Sequence, residues 1–371
     1  MSVARSSRLK ITPDLNKSHG SFLVDASTGK EYLDFFSMYS SLPLGYNHKI
    51  FESYDFIEEI LEVSSVKVTN CEFITKHSID FDEQFKKFTS LGKFSHYHYC
   101  CTGALAIEAA IKTAIDYKKA KNPKILSFAG AFHGINSWGC FTTSRTGPVT
   151  SRLEGFPDMF SKKVKNDSSR EVMEQIFKNN DLTAVLLEPI QATFGDQYVT
   201  KEFIRTLRDL CSDYNVPLIF DEVQIGFGAT GKVWYFEHLG IEPDILVFGK
   251  RTQLSGIMVK DNFSEIFKTP IRLEVTWDGT LVDMIRCKHV IRAYEEDKIL
   301  QNVEKQSQKI VDYLKNNENF LNVRNKGMII AFDFASSEKC EDYTKKMHQN
   351  GLIFNKTGNK TIRFRPSLSI T

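Results

Sequence analysis

Long apolar runs are missing from this 371-residue chain. A helix that crosses the hydrocarbon core of a bilayer needs about 20 consecutive apolar residues, and no stretch comes near that, so no membrane span is expected. An excess of one charge is missing too: 48 Lys and Arg stand against 46 Asp and Glu, for a net of +2, and no basic block stands out. A nucleic-acid or membrane-surface role therefore has no electrostatic footing. No two of the seven cysteines are spaced as CxxC, their number is odd, and apart from Cys100-Cys101 they are scattered. This argues against a disulfide framework or a zinc site and fits reduced thiols in the cytoplasm. Met1 to Lys10 lacks the apolar segment of a secretory signal and is too brief to argue for a transit peptide. What remains is an enzyme-sized chain, long enough for one large core and a smaller domain.

The most patterned stretch runs from Val216 to Lys250. Val216-Pro217-Leu218-Ile219-Phe220 ends in the carboxylates Asp221-Glu222, followed by Val223-Gln224 and the glycines 226, 228 and 231. A second run, Ile245-Leu246-Val247-Phe248, ends in Gly249-Lys250. Short, continuous apolar runs suit strands buried on both faces, as in a parallel sheet under helices, which sets the fold class as α/β. Lys124 to Phe128 and Ala184 to Leu187 read the same way, the latter ending in Glu188. Ligands of open α/β sheets sit beyond the carboxyl ends of the strands, where Asp221 and Lys250 both fall.

Other stretches fill in the frame. Phe22 to Asp25 and Glu31 to Phe35 flank Ser27-Thr28-Gly29 as a hairpin. His96 to Cys100 is strand-like and leads through Thr102-Gly103-Ala104 into a helix with Ile107, Ala110, Ile111 and Ala114 on one face. A helix start of this kind offers free N–H groups to an anion, and Gly103 allows close approach. His96 and His98 alternate along their strand without further ligands in sight, so no metal site is expected. Val282 to Asn316 reads as helix, and Met328 to Phe334 as strand.

Asp221-Glu222-Val223-Gln224 together with Phe248-Gly249-Lys250 resembles the signature of class III pyridoxal-phosphate aminotransferases. The strings Phe248-Gly249-Lys250-Arg251-Thr252-Gln253 and Gly103-Ala104-Leu105-Ala106-Ile107-Glu108 are most similar to the lysine 6-aminotransferase branch. The resemblance spans about Phe22 to Leu368. It implies a fold-type I (aspartate-aminotransferase-like) transferase, with a large domain at 49–285 built on a mostly parallel sheet. A small α+β domain would come from 1–48 and 286–371.

The same resemblance implies the cofactor, pyridoxal phosphate, and the residues around it. Lys250 would form the Schiff base and Asp221 would hold the pyridine nitrogen protonated. The amides of Gly103 and Ala104 would hold the phosphate with help from the Thr102 hydroxyl. Phe132 would stack on the ring in a Phe-His-Gly context that includes His133, Gln224 would bond the phenolic oxygen, and Glu188 would steady the surroundings. Thr276 would reach the phosphate of a second subunit, which makes a homodimer obligatory. On the substrate side the resemblance points to Tyr39 and to an arginine, with Arg363 aligning best and Arg365 as the alternative. The implied reaction moves the terminal amine of lysine, or of a similar diamino acid or amine, to a keto acid such as 2-oxoglutarate.

Four departures stand against that pattern. Ile135 occupies the position of an arginine that pairs with a substrate carboxylate, and Thr193 that of a gating glutamate. Asp278-Gly279-Thr280 replaces the usual Gly-Gly-Asn, and the sequence stops at Thr371 where relatives continue into a strand and helix. The rival readings are an aminomutase using the same residues, and a binding or scaffold protein derived from such an enzyme.

Overall fold

Four apolar strands, Ile125–Phe128, Ala184–Leu187, Leu218–Asp221 and Ile245–Phe248, are buried along their whole length in the computed structural model, which describes residues 9–144 and 161–371. They lie side by side in a seven-stranded sheet whose order is 96–100, 255–259, 245–248, 218–221, 184–187, 125–128, 161–164. Six strands run in one direction, and only Ser255–Val259 is reversed. The mostly parallel α/β sheet expected from the continuous apolar runs is therefore present.

Because side chains alternate along a strand, each run feeds two cores. Ala184, Leu186, Ile219, Ile245 and Val247 pack under the helix Gly103–Lys118, which supplies Ala106, Ile107, Ala110, Ile111 and Ala114. Val185, Leu187, Leu218, Phe220 and Leu246 face the other way, against the helix Lys201–Asp213 and its Phe203, Ile204, Leu207 and Leu210. Asp221 shares the parity of Ile219, so its carboxylate belongs to the side where the helix 103–118 begins. Glu222 has the opposite parity. Its carboxylate accepts from the N–H groups of Tyr235 (2.6 Å) and Phe236 (2.9 Å), and burial raises its pKa to about 8. The Asp221-Glu222 pair is thus one site carboxylate and one structural cap.

The two chain ends build two further sheets. The hairpin forms as expected, with Phe22 opposite Leu33 and Val24 opposite Glu31, and Leu352–Ile353 adds to it in parallel. Strands 321–326, 329–333, 361–364 and 355–357 make an antiparallel sheet of four. The 285/286 boundary falls inside the helix Leu281–Glu296, which packs on the helices Tyr54–Ser64 and Lys76–Thr89. No helix among the described residues is long and apolar enough to cross a membrane.

Candidate active site

The carboxyl ends of the parallel strands open into a cavity of about 260 Å³ whose wall includes Gly103, Ala104, Phe132, Glu188, Asp221 and Lys250. His133, Ile135, Val223 and Gln224 complete its chemistry. Gly103 is there for space: a Cβ at that position would come within 3.0 Å of the Val223 side chain. Thr102 is exposed and outside the wall, and its Oγ1 caps the helix by accepting from Leu105 N–H at 3.3 Å.

Asp221 is held from two sides. Its Oδ2 lies 2.9 Å from His133 Nδ1, and its Oδ1 accepts from Val223 N–H at 3.1 Å. His133 is buried, and its Nε2 has no hydrogen-bond partner among the described residues. Glu188 stands nearby: it accepts from Phe132 N–H at 2.7 Å, and burial, with Asp221 close by, holds its pKa well above the carboxylate range. Beside Asp221, Glu188 therefore favours its protonated form.

Lys250 follows the strand Ile245–Phe248 with φ of 56°, a left-handed conformation that side chains other than glycine avoid, and strain of this kind gathers at functional sites. Nζ makes no hydrogen bond or ion pair among the described residues. Burial lowers its pKa to about 8, against the pull of Asp221 and with help from Arg251 and Arg363. An amine of that pKa is uncharged in roughly a tenth of molecules at pH 7 and half at pH 8. The rate at which apoprotein captures an aldehyde, read as borohydride-trapped adduct, should climb through pH 7–9 and then level off. A rate that kept rising to pH 10.5 would mean an ordinary, solvated lysine.

The two C-terminal arginines behave differently. Arg365, one residue past the strand Thr361–Phe364, pairs with Asp196, and both side chains are buried. Arg363 has no carboxylate partner among the described residues; it donates to Ala192 O and, at 3.3 Å, to Gln224 Oε1, and its Nε is unpaired. Thr193, adjacent to Ala192, leaves its Oγ1 buried without a partner among the described residues, while its carbonyl accepts from Thr357 Oγ1 at 2.7 Å. Ile135 sits in the wall and is 57% exposed.

Tyr39 and Thr276 do not line this cavity. Tyr39 is half exposed, edge-on to Phe36 at 4.5 Å, in a turn where Ser37, Met38, Tyr39 and Ser40 all have positive φ. Thr276 is exposed on the surface. Three residues that pattern reading did not single out also matter here: Val223 packs on Gly103 and lines the cavity, Asp196 occupies Arg365, and Arg251 is buried behind Lys250. Val223 and Arg251 lie inside the family strings and could have been questioned there. Asp196 carries no local signal, since its partner is 169 residues away.

These residues fit pyridoxal phosphate. The cavity is too small for a drug-sized ligand and suits one substituted ring. Its wall brings together an amide-rich helix start, an amine unpaired among the described residues, and a fixed carboxylate. When bound, that cofactor supplies an aldehyde that condenses with amines and a protonated ring that draws off electrons.

Fold and site together define a fold-type I pyridoxal-phosphate-dependent transferase. A family model described as aminotransferase class-III matches residues 3–371, so the chain belongs to the class III aminotransferases, enzymes that depend on pyridoxal phosphate. It is 29% identical over 398 residues to the L-lysine-epsilon aminotransferase of Mycobacterium bovis, covering 98% of this chain and 89% of that protein. The L-lysine-epsilon aminotransferase of Amycolatopsis lactamdurans is 30% identical over 395 residues, covering 96% of this chain and 88% of that one. The solved lysine aminotransferase from M. tuberculosis superposes with a TM-score of 0.94 at 28% identity, covering 99% of this chain and 93% of the other.

Proposed function

We propose that this aminotransferase takes the terminal amine of lysine, or of a similar diamino acid or amine, and passes the amino group to a keto acid such as 2-oxoglutarate. The observation that carries the reading is the unpaired Lys250 amine in one cavity with Asp221 and the 103–104 helix start. Lys250 would bind the cofactor covalently and, once displaced, carry a proton between the substrate carbon and the cofactor. Asp221 keeps the ring nitrogen protonated, Gly103 and Ala104 hold the phosphate, Phe132 covers a ring face, and Gln224 meets the phenolic oxygen. His133 fixes the Asp221 carboxylate. Arg363, with no carboxylate partner among the described residues, takes the substrate carboxylate, and Tyr39 contacts the substrate at the mouth.

A homodimer with shared sites belongs to this reading. Leu105, Val275 and Trp277 leave large apolar side chains exposed close in sequence to the phosphate end and to Thr276, which would serve the neighbouring subunit's phosphate. Seven free cysteines, five of them buried, suit a reducing cytoplasm.

The test is a donor screen on reconstituted protein, followed as loss of the visible cofactor absorbance. Lysine or a diamine should discharge it and 2-oxoglutarate should restore it. Recovery without any keto acid would instead indicate an aminomutase. Arg363→Met should raise KM for carboxylate-bearing substrates by on the order of 10- to 100-fold, the effect of losing one charge-assisted hydrogen-bonded pair. Arg365→Met should strand the buried Asp196 charge and cost about 3–5 kcal/mol of stability. Reversed effects would exchange the two assignments.

A further inference from the structure

Arg251 is 1% exposed, and no carboxylate pairs with it among the described residues. A buried guanidinium without a counter-ion is costly to desolvate, so what it does bond to calls for an account. Nη1 donates to the Gln224 carbonyl at 2.8 Å, and Nη2 donates to Ser40 Oγ at 2.7 Å. Beside it, Gln253 Nε2 donates to Ser41 O at 2.8 Å. Ser40 and Ser41 end the turn in which four consecutive non-glycine residues have φ of 43°, 49°, 59° and 73°. The start of that turn is fastened as well: Asp34 Oδ1 accepts from the N–H groups of Phe36 at 2.7 Å and Ser37 at 2.8 Å. An L-peptide does not keep such a run unless its surroundings impose it.

We propose that Arg251 is a positioning residue: it clamps the left-handed turn 37–40 against the cofactor lysine's segment and the Gln224 backbone, and so holds Tyr39 at the mouth of the site. Tyr39 sits mid-turn with its ring braced by Phe36, and its phenol is near enough to Arg363 to act on that charge. Arg251, which follows the cofactor lysine, thus ties the backbone of a cofactor contact to the turn that carries a substrate contact. The clamp stands on its contacts, and the roles of Lys250, Gln224 and Tyr39 rest on the proposed function.

Hydrogen exchange on apoprotein tests the clamp without any reaction. The amides of Ser40 and Ser41, which donate to Phe36 and Ser37 carbonyls, should exchange about tenfold faster in Arg251→Met and in Ser40→Ala, the effect of losing about one hydrogen bond. Arg251→Lys, able to keep one of the two contacts, should fall between. In holoenzyme, Arg251→Met should raise KM for L-lysine about tenfold with kcat within threefold, and Tyr39→Phe should add nothing on that background. Ser40→Ala serves if Arg251→Met does not fold. Unchanged exchange in the variant that folds overturns the clamp, as does a Tyr39→Phe loss that multiplies in full with the Arg251 loss. Faster exchange with Tyr39→Phe silent in the parent upholds the clamp and removes Tyr39 from the substrate contacts instead.

Discussion

Replacing Lys250 by Ala is expected to lower turnover by on the order of 10⁴-fold or more, because in the proposed reaction one amine both anchors the cofactor and carries the proton. Stability should barely move. At pH 7 the buried ammonium of the apoprotein costs up to about 3 kcal/mol, from a pKa of about 8 against an ordinary 10.5, and truncation relieves that. Losing three buried methylenes costs roughly 2–2.5 kcal/mol, so the two terms nearly cancel. The pH dependence exposes the mechanism. Between about pH 8 and 10.5 the unfolded chain holds a proton on Lys250 that the folded protein has released, so this group makes the parent apoprotein more stable as pH rises. The Ala variant should lose that increment. Denaturant unfolding of both apoproteins at pH 7.5 and 10 measures it, and parallel profiles would mean the amine is solvated. Retained turnover would end the assignment of Lys250.

Asp221→Asn should come second, with kcat down roughly 10²- to 10³-fold, the usual scale for removing one preorganised electrostatic contact. The substitution keeps volume and can still bond His133, so it removes charge and little else. Colour on reconstitution should survive, since Lys250 is untouched, and the loss should appear in kcat more than in KM. Glu188 should not substitute, because burial disfavours its charged form even without the Asp221 charge and its carboxylate is held by Phe132 N–H. Activity within threefold of the parent would show that the ring nitrogen does not depend on this carboxylate.

How far these expectations could be read from the sequence depended on the range of the interaction. The strands at 125–128, 184–187, 218–221 and 245–248 were legible because burial on both faces demands uninterrupted apolar runs. Their polar ends marked Glu188, Asp221 and Lys250 for the same reason. The turn at Ser37–Ser40 was not legible: Phe-Ser-Met-Tyr-Ser-Ser has no glycine to announce positive φ, and its geometry comes from Asp34, Arg251 and Gln253. The choice between Arg363 and Arg365 was equally closed to local reading, since both are arginines two residues apart.

What the chain's own order of residues decided, then, is the α/β class, the sheet's polar edge and the chemistry brought to it, because uninterrupted apolar runs and the residues that end them are local properties. The distant contacts decided the rest. Asp196 occupies Arg365 and leaves Arg363 without a carboxylate among the described residues, the Tyr235 and Phe236 amides engage Glu222 away from the cavity, and Arg251 holds a turn no local preference would form. Each depends on which side chain meets a buried charge across the fold, and only packing determines that.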